Sequence, residues 1–166
     1  MTLNSKRSNE AVHDGSDLWL INEAIDLCQA GQLFYSQATK GAIDYNIKRI
    51  FGHMAEVRKG MLSRLTALFK QVEPRYPRVV DSISHLTPPL SPYYAEAEKA
   101  MAQNRMTKAI KVLIAAEQYV LSRLKLAAKR ANSQRVTRQL AEGIAWLQIS
   151  CDSMKNLPLN ESNSSP

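Results

Sequence analysis

The sequence is poor in the residues on which disulfide-linked, metal-rich and membrane-spanning proteins depend. Its 166 residues include two cysteines and three histidines, and both cysteines, Cys28 and Cys151, fall among regularly spaced apolar residues. We interpret them as buried free thiols without a redox or metal-binding role. No stretch approaches the roughly 18 consecutive apolar residues of a membrane span, and Met1 to Asp14 is polar, unlike a secretory signal. A cytoplasmic protein without a membrane span is therefore expected.

The sequence also lacks the residue patterns of common catalytic sites. It has no Ser-His-Asp order, no glycine-rich phosphate loop and no Cys-x-x-Cys pair. His53 and Glu56 are three residues apart and would share one helix face, but they fall outside the apolar repeat. We interpret them as a solvent-exposed pair rather than half of a zinc site. These absences argue against an enzyme and predict no resident cofactor or metal.

What the sequence does contain is a repeat of apolar residues at spacings of three and four, which predicts four main helices. The first is predicted from Asp17 to about Lys40, with Ser16 as its N-cap. The second is predicted from near Asp44 to just before Pro74, because proline interrupts a helix.

A proline-rich segment separates this helix pair from the rest of the chain. Five prolines between residues 73 and 92 exclude a continuous helix there. Residues 74–92 are therefore predicted to form a long crossover rather than a tight turn. A short helix is predicted over Tyr93–Gln103.

The remaining two main helices form a second predicted pair. The third opens at Asn104, with Thr107 as its N-cap, and ends near Arg130. The fourth follows a turn at residues 131–133 and ends before Pro158.

Two helix pairs joined by a long crossover predict an all-α fold, the ferritin-like variant of the four-helix bundle. A chain of this length forms one domain, which we place at residues 16–157. The polar segments 1–15 and 158–166 have the composition of disordered tails.

One polar residue interrupts the apolar repeat of each of three helices: Gln32, Arg58 and Glu117. Residues at this spacing share one face, so the three side chains are expected to meet at mid-bundle, where metal-binding bundles place their ligands. A di-metal site needs about four carboxylates and two imidazoles, and an arginine cannot ligate a metal. We therefore predict an ion pair between Arg58 and Glu117, with Gln32 bonding to the remaining polar groups. A small polar pocket for a ligand is the alternative interpretation.

The second helix contains a segment that reads Phe51-Gly-His-Met54-Ala55-Glu-Val-Arg58-Lys-Gly-Met61. This segment resembles the second-helix motif of rubrerythrin-like ferritin relatives, in which a Phe and an apolar-Ala pair precede Glu-x-x-His. Arg58 and Met61 stand where that motif has its metal-binding Glu and His. The resemblance implies a ferritin-like four-helix bundle that has lost its di-metal site.

Two further segments bear on this resemblance. The last helix offers only Glu142-Gly-Ile-Ala145, without the histidine of a second Glu-x-x-His. Residues 30–38, together with the arginine on the second helix, are similar to a small bacterial ferritin-like family of unknown function. In that family a Gly-Glu pair stands where this chain has Gly31-Gln32.

Positive charge is concentrated near the junction of the last two main helices. The formal net charge is +7, and no acidic residue occurs between Gln118 and Ala141. We name the six cations of this stretch the basic pole: Arg123, Lys125, Lys129, Arg130, Arg135 and Arg138. Helix C-termini attract cations through the macrodipole, but six cations also suit an anionic partner. Glu23 and other acids near the start of the first helix are expected at the same end, where they would neutralise the pole or dock a second subunit.

The function expected from these features is that of a non-catalytic binding or assembly protein. We expect a homodimer with an anionic or protein partner at the basic pole. Two alternatives stay open: a basic protein associated with nucleic acid, and a metal-dependent oxidase or iron-storage relative.

Overall fold

The computed structural model describes residues 17–42, 44–72 and 91–159, which form five α-helices. The predicted all-α fold is confirmed, since no strand occurs in these ranges. The helices are α1 (Leu18–Gly41), α2 (Tyr45–Val72), α3 (Ser91–Ala102), α4 (Met106–Arg130) and α5 (Gln134–Lys155).

Some predictions concern parts of the chain outside the described residues. These are the Ser16 cap, the tail at residues 1–15, most of the crossover at 74–92 and most of the tail at 158–166. The last described residues, Leu157 to Leu159, follow α5, and both of these leucines pack partly buried against the core.

Helices α1 and α2 form an antiparallel hairpin. Cys28 Sγ of α1 lies 4.0 Å from Met61 Sδ of α2. Farther along, the ring centroids of Tyr35 and Phe51 are 5.5 Å apart. Residue numbers therefore rise along α1 as they fall along α2.

Helix α4 is antiparallel to α1. Near the start of α1, Glu23 contacts Arg123 of α4. About three turns later in α1, Tyr35 contacts Glu117, which precedes Arg123 in the chain. Because α2 also runs against α1, helices α2 and α4 are parallel to each other.

Helix α5 closes the bundle against α4 and α2. His53 of α2 lies beside Ser150 of α5, with 3.0 Å between Nδ1 and Oγ. Farther along α2, Met61 packs against Gly143, so closely that a Cβ there would lie 2.3 Å from the methionine Cε. These two helices are thus antiparallel, and every pair of neighbouring main helices has opposite directions.

The short helix α3 lies beside α4 and α1. The rings of Tyr93 and Tyr119 stack with 6.4 Å between centroids, and those of Tyr94 and Phe34 stack at 4.8 Å. Tyr119 is in the middle of α4, and α3 ends next to the first turn of α4. Helix α3 therefore runs beside the first half of α4 in the opposite direction and ends next to its first turn.

The predicted helix ends hold with two corrections. The predicted crossover includes Pro92, but α3 begins at Ser91 and contains this proline. The first turn of a helix does not need the N–H that proline lacks. Thr107 is wrong as the N-cap of α4, which begins at Met106. The chain turns there through Asn104, whose φ of 58° lies in the left-handed region that asparagine tolerates.

The core fills the space between the four long helices with aliphatic, aromatic and sulfur-containing side chains. Cys28 and Cys151 are buried free thiols, as predicted. Fully burying one such aliphatic side chain stabilises a fold by about 1.5–3 kcal/mol. In the described ranges, no helix is long and apolar enough to cross a membrane.

Candidate functional site

The centre of the bundle contains a charged pair. Arg58 of α2 and Glu117 of α4 are 0 % and 1 % exposed, and Arg58 Nη2 lies 2.5 Å from Glu117 Oε2. This is the ion pair that the sequence predicts. It joins the first helix hairpin to the second across the middle of the core.

Tyr35 of α1 completes the environment of the carboxylate. Its hydroxyl donates to Glu117 Oε1 over 2.8 Å, so each oxygen of Glu117 accepts a hydrogen bond. The Tyr35 ring also lies beside the guanidinium, with Arg58 Cζ 5.3 Å from the ring centroid. A cation near an aromatic ring is attracted by the negative charge of the ring face. Tyr35 is thus a member of the site that the predicted cluster of Gln32, Arg58 and Glu117 does not include.

Gly31 makes the space for the arginine. A Cβ on this glycine would lie 2.2 Å from Arg58 Nε and 2.5 Å from Arg58 Cζ, both impossible distances. The guanidinium therefore packs directly on the backbone of α1. A glycine inside a long helix was a signal in the sequence for such a close approach.

Gln32 is not part of this cluster, so the prediction that it bonds to the polar core is wrong. It is half-buried, and its Nε2 donates to Ser36 Oγ on its own helix over 3.3 Å. The buried side of α1 passes from Cys28 through Gly31 to Tyr35. From Cys28, a step of three residues leads to Gly31 and a step of four leads to Gln32, and a helical repeat allows both. In this structure Gly31 faces Arg58.

Burial keeps the neighbouring titratable groups protonated. It raises the pKa of the Cys28 thiol to about 11. Burial and the nearby Glu117 carboxylate raise the pKa of Tyr35 well above its usual range. Burial opposes the charge of Arg58, but the attraction of Glu117 outweighs it and raises the arginine pKa. The site is therefore a neutral ion pair surrounded by protonated hydroxyl and thiol groups, none of them activated as a nucleophile.

Part of the hydrogen-bonding capacity of the site is unused by the described residues. Arg58 Nε and Nη1 and the Tyr94 hydroxyl are buried without a hydrogen-bond partner there. An arginine has five N–H donors, and a single carboxylate satisfies few of them. Charge attraction and a single hydrogen bond thus join Arg58 to Glu117, without a complete hydrogen-bond network around the guanidinium.

The other candidate ligands lie apart from this site. His53 and Glu56 are exposed, as predicted, and Glu142 of α5 is also exposed. Across residues 17–42, 44–72 and 91–159, no three His, Cys, Asp or Glu side chains cluster so that they could hold a metal ion.

The basic pole is partly neutralised. Arg123 forms an ion pair with Glu23 of α1, with 2.7 Å between Nε and Oε1, and is only 28 % exposed. Arg123 is therefore not an open binding residue, and acids of α1 do lie at this pole as expected. Five cations of the pole are exposed: Lys125, Lys129, Arg130, Arg135 and Arg138.

These cations do not share a single face. Arg123 and Lys125 are two residues apart, which separates them by roughly 200° around α4. Lys125 and Lys129 are four apart and do share a face, while Arg135 and Arg138 belong to α5. The predicted pole is thus a basic end of the bundle with charge on several sides.

The surface also carries large apolar side chains. Trp146 and Ile149 lie one turn apart on α5 and are 51 % and 55 % exposed. Trp19 and Leu33 of α1 are 44 % and 56 % exposed. Apolar spacing alone does not separate these exposed positions from the core.

Comparison of the chain with protein-family models, with curated proteins and with solved structures found no match.

Proposed function

We propose that this protein is a ferritin-like four-helix bundle in which the Arg58–Glu117 ion pair takes the place of a di-metal site. In this proposal it is a non-catalytic binding or assembly protein that acts as a homodimer. The observation that carries the proposal is the buried arginine at mid-bundle, paired with a glutamate from the opposite hairpin.

The arrangement of the helices supports the ferritin-like part of the proposal. Helices α2 and α4 are parallel, and each pair of neighbouring main helices is antiparallel, as in a bundle with one long crossover. The Phe51 to Met61 segment supports it as well, because its buried residues Phe51, Met54, Arg58 and Met61 face the core. Arg58 is therefore on the side of α2 where the motif that it resembles has its metal-binding Glu.

The side chains around Arg58 do not fit a divalent metal. The guanidinium stays protonated and repels a cation. Among the residues at this level, Glu117 is the sole carboxylate described, and Oε1 and Oε2 already accept hydrogen bonds from Tyr35 and Arg58. A carboxylate in this state offers little to a metal ion.

Metal analysis tests the loss of the site. Protein produced with added iron, manganese or zinc should hold well under one metal ion per chain after dialysis. It should also show no ferroxidase activity. Stoichiometric metal whose binding is lost in a Glu117→Gln variant would overturn the proposal.

A reconstruction tests the correspondence with the ferritin-like motif. Arg58→Glu together with Met61→His restores Glu-x-x-His beside Glu117. This variant should bind Co²⁺, with visible absorption and a metal-dependent rise in melting temperature. Met61→His alone retains the arginine and should bind none. A folded double variant that gains no metal would contradict the alignment of Arg58 and Met61 with the metal-binding Glu and His of the motif.

The basic pole carries a second candidate function, binding of an anionic partner such as nucleic acid or an acidic protein. The observation in its favour is the exposure of five cations at one end of the bundle. Lys125 and Lys129, which share a face, are the best candidates on α4. Charge attraction of this kind weakens as salt screens it.

A salt titration with two probes tests this function. Binding of a short labelled DNA duplex and of polyglutamate should fall steeply between about 50 and about 200 mM salt. Lys125→Gln with Lys129→Gln should weaken it. Lys108→Gln with Lys111→Gln removes equal charge near the start of α4 and serves as the control. Equal loss in both variants would mean that net charge, not the pole, attracts the probes.

A further inference from the structure

The exposed side of α5 has the regular spacing of a helix-pairing seam. Five of its residues, separated by alternating steps of four and three, are all exposed: Arg138, Glu142, Ala145, Ile149 and Asp152. Trp146 borders this row and is 51 % exposed. We call these six residues the α5 outer face. Its spacing is that of the seam along which two helices pack.

The opposite side of the same helix is already occupied by the core. Leu140, Gly143 and Leu147 are buried there with Val136, Cys151 and Met154. The core therefore does not explain the apolar residues of the outer face. A tryptophan and an isoleucine on one side of one helix form an apolar strip that a partner would cover.

Two of the three charged residues of the outer face, Arg138 and Asp152, lie symmetrically about its centre. Arg138 precedes Ala145 by seven residues, and Asp152 follows Ala145 by seven residues. Seven residues are about two helical turns, so all three lie on the same side of α5. The cation and the anion are thus equidistant from the alanine.

This symmetry distinguishes between the two ways of pairing α5 with a copy of itself. An antiparallel copy related by a two-fold axis near Ala145 brings Arg138 level with Asp152 of the partner subunit, and the reverse pair forms at the other end. A parallel copy would put arginine against arginine. The small Ala145 permits a close approach at the axis, and Trp146 lies next to it.

We infer that a second copy of the chain packs antiparallel on the α5 outer face, about a two-fold axis near Ala145. The inference rests on the assembly role proposed above and names its partner. The face carries Glu142 and Asp152 as well as Arg138, so it suits a copy with complementary charges better than a polyanion such as DNA. An isologous contact of this type is the commonest form of homodimer.

Sedimentation equilibrium over a range of protein concentrations tests the inference on the full chain. Trp146→Ser should raise the dimer dissociation constant about tenfold or more, because buried tryptophans dominate such contacts. Trp19→Ser removes a tryptophan of similar exposure from α1 and should leave it unchanged. A wild-type chain that is monomeric at about 100 µM, well above a micromolar dissociation constant, would overturn the inference.

Charge reversal gives the sharper test. Arg138→Asp alone and Asp152→Arg alone should each weaken the dimer about tenfold, because each places like charges together at both ends. Mixing the two variants should restore affinity as a heterodimer, and combining both changes in one chain should restore the homodimer. Single variants that dimerise like the wild type, or mixtures that do not recover, would overturn the antiparallel contact.

The positions changed are exposed, so circular dichroism should show an unaltered helix content in each variant. The metal measurements are independent of this result. A monomer without bound metal would refute the α5 contact and the proposed homodimer but not the loss of the metal site. A dimer with stoichiometric metal at Glu117 would refute the proposed loss of the metal site.

Discussion

At the scale of the residue, the Arg58–Glu117 pair makes a prediction about stability. Glu117→Ala leaves a buried cation without its partner and should lower the free energy of unfolding by about 3–5 kcal/mol, measured by urea denaturation. Arg58→Met combined with Glu117→Leu fills the space with apolar atoms and should be neutral or stabilising. In a double-mutant cycle, Arg58→Met and Glu117→Leu are measured singly and together. Additive effects on the free energy of unfolding would show that the pair contributes no interaction energy.

Gly31 provides a second prediction at this scale. Alanine is about 1 kcal/mol better than glycine inside a helix, but at Gly31 its Cβ would overlap the Arg58 guanidinium. Gly31→Ala should therefore lower the free energy of unfolding by about 1–3 kcal/mol. At Gly60 of α2 the nearest atom, Arg64 Nη1, is 3.5 Å from an added Cβ, so Gly60→Ala should stabilise. Stabilisation by both changes would contradict the close packing at Gly31.

At the scale of the element, Asp17 links the start of α1 to the turn between α4 and α5. It is fully buried, and its carboxylate accepts hydrogen bonds from the backbone N–H of Asn132 and of Ser133, at 3.0 and 2.9 Å. Ser133 is the N-cap residue of α5. An aspartate distant in sequence thus satisfies two backbone donors in the turn that leads into α5.

The prediction that follows concerns hydrogen exchange. Asp17→Ala removes the carboxylate that the Asn132 and Ser133 N–H groups donate to and should lower the free energy of unfolding by about 1–3 kcal/mol. Amide exchange at Asn132 and Ser133 should become faster. Asp44→Ala, which removes the local cap on the Asn46 and Ile47 N–H groups, is the matched control and should speed exchange only there. Unchanged protection at residues 132 and 133 would contradict the link.

At the scale of the whole molecule, the buried titratable groups predict sensitivity to alkali. Unfolded Cys28 loses its proton near pH 9.0, whereas burial raises its pKa to about 11 in the folded chain. Between these values the folded state binds more protons than the unfolded state, so stability falls as pH rises. The loss should be on the order of 2 kcal/mol by pH 11, with a further loss above pH 10 from Tyr35, whose pKa burial also raises.

Denaturation curves recorded from pH 7 upwards check this prediction. Cys28→Ala should flatten the decline that begins near pH 9 and leave the later part that Tyr35 causes. Tyr35→Phe should do the opposite. A wild-type stability that is constant to pH 11 would show that these groups titrate as they do in the unfolded chain.

The helices could be predicted from the sequence because they depend on residues that are close together in the chain. The buried ion pair could be predicted because the apolar repeats contain two residues of opposite charge. Apolar spacing and the caps and prolines at helix ends are encoded within a few residues, and they place α2, α4 and α5 within a few residues of their observed ends. Arg58 and Glu117 interrupt apolar repeats with opposite charges. A buried charge is strongly unfavourable without a partner, so these two residues require each other.

Only the tertiary structure decided which neighbours surround that pair. On α1, a repeat of 3.6 residues per turn permits both Gly31 and Gln32, and the choice depends on how α1 is rotated towards Arg58. The roles of Tyr35 and Asp17, like the Arg123–Glu23 pair at the basic pole, depend on contacts between residues about 80 to 115 positions apart. Spacing along one helix carries no information about such contacts, because they arise from the relative placement of helices that are separate in the chain.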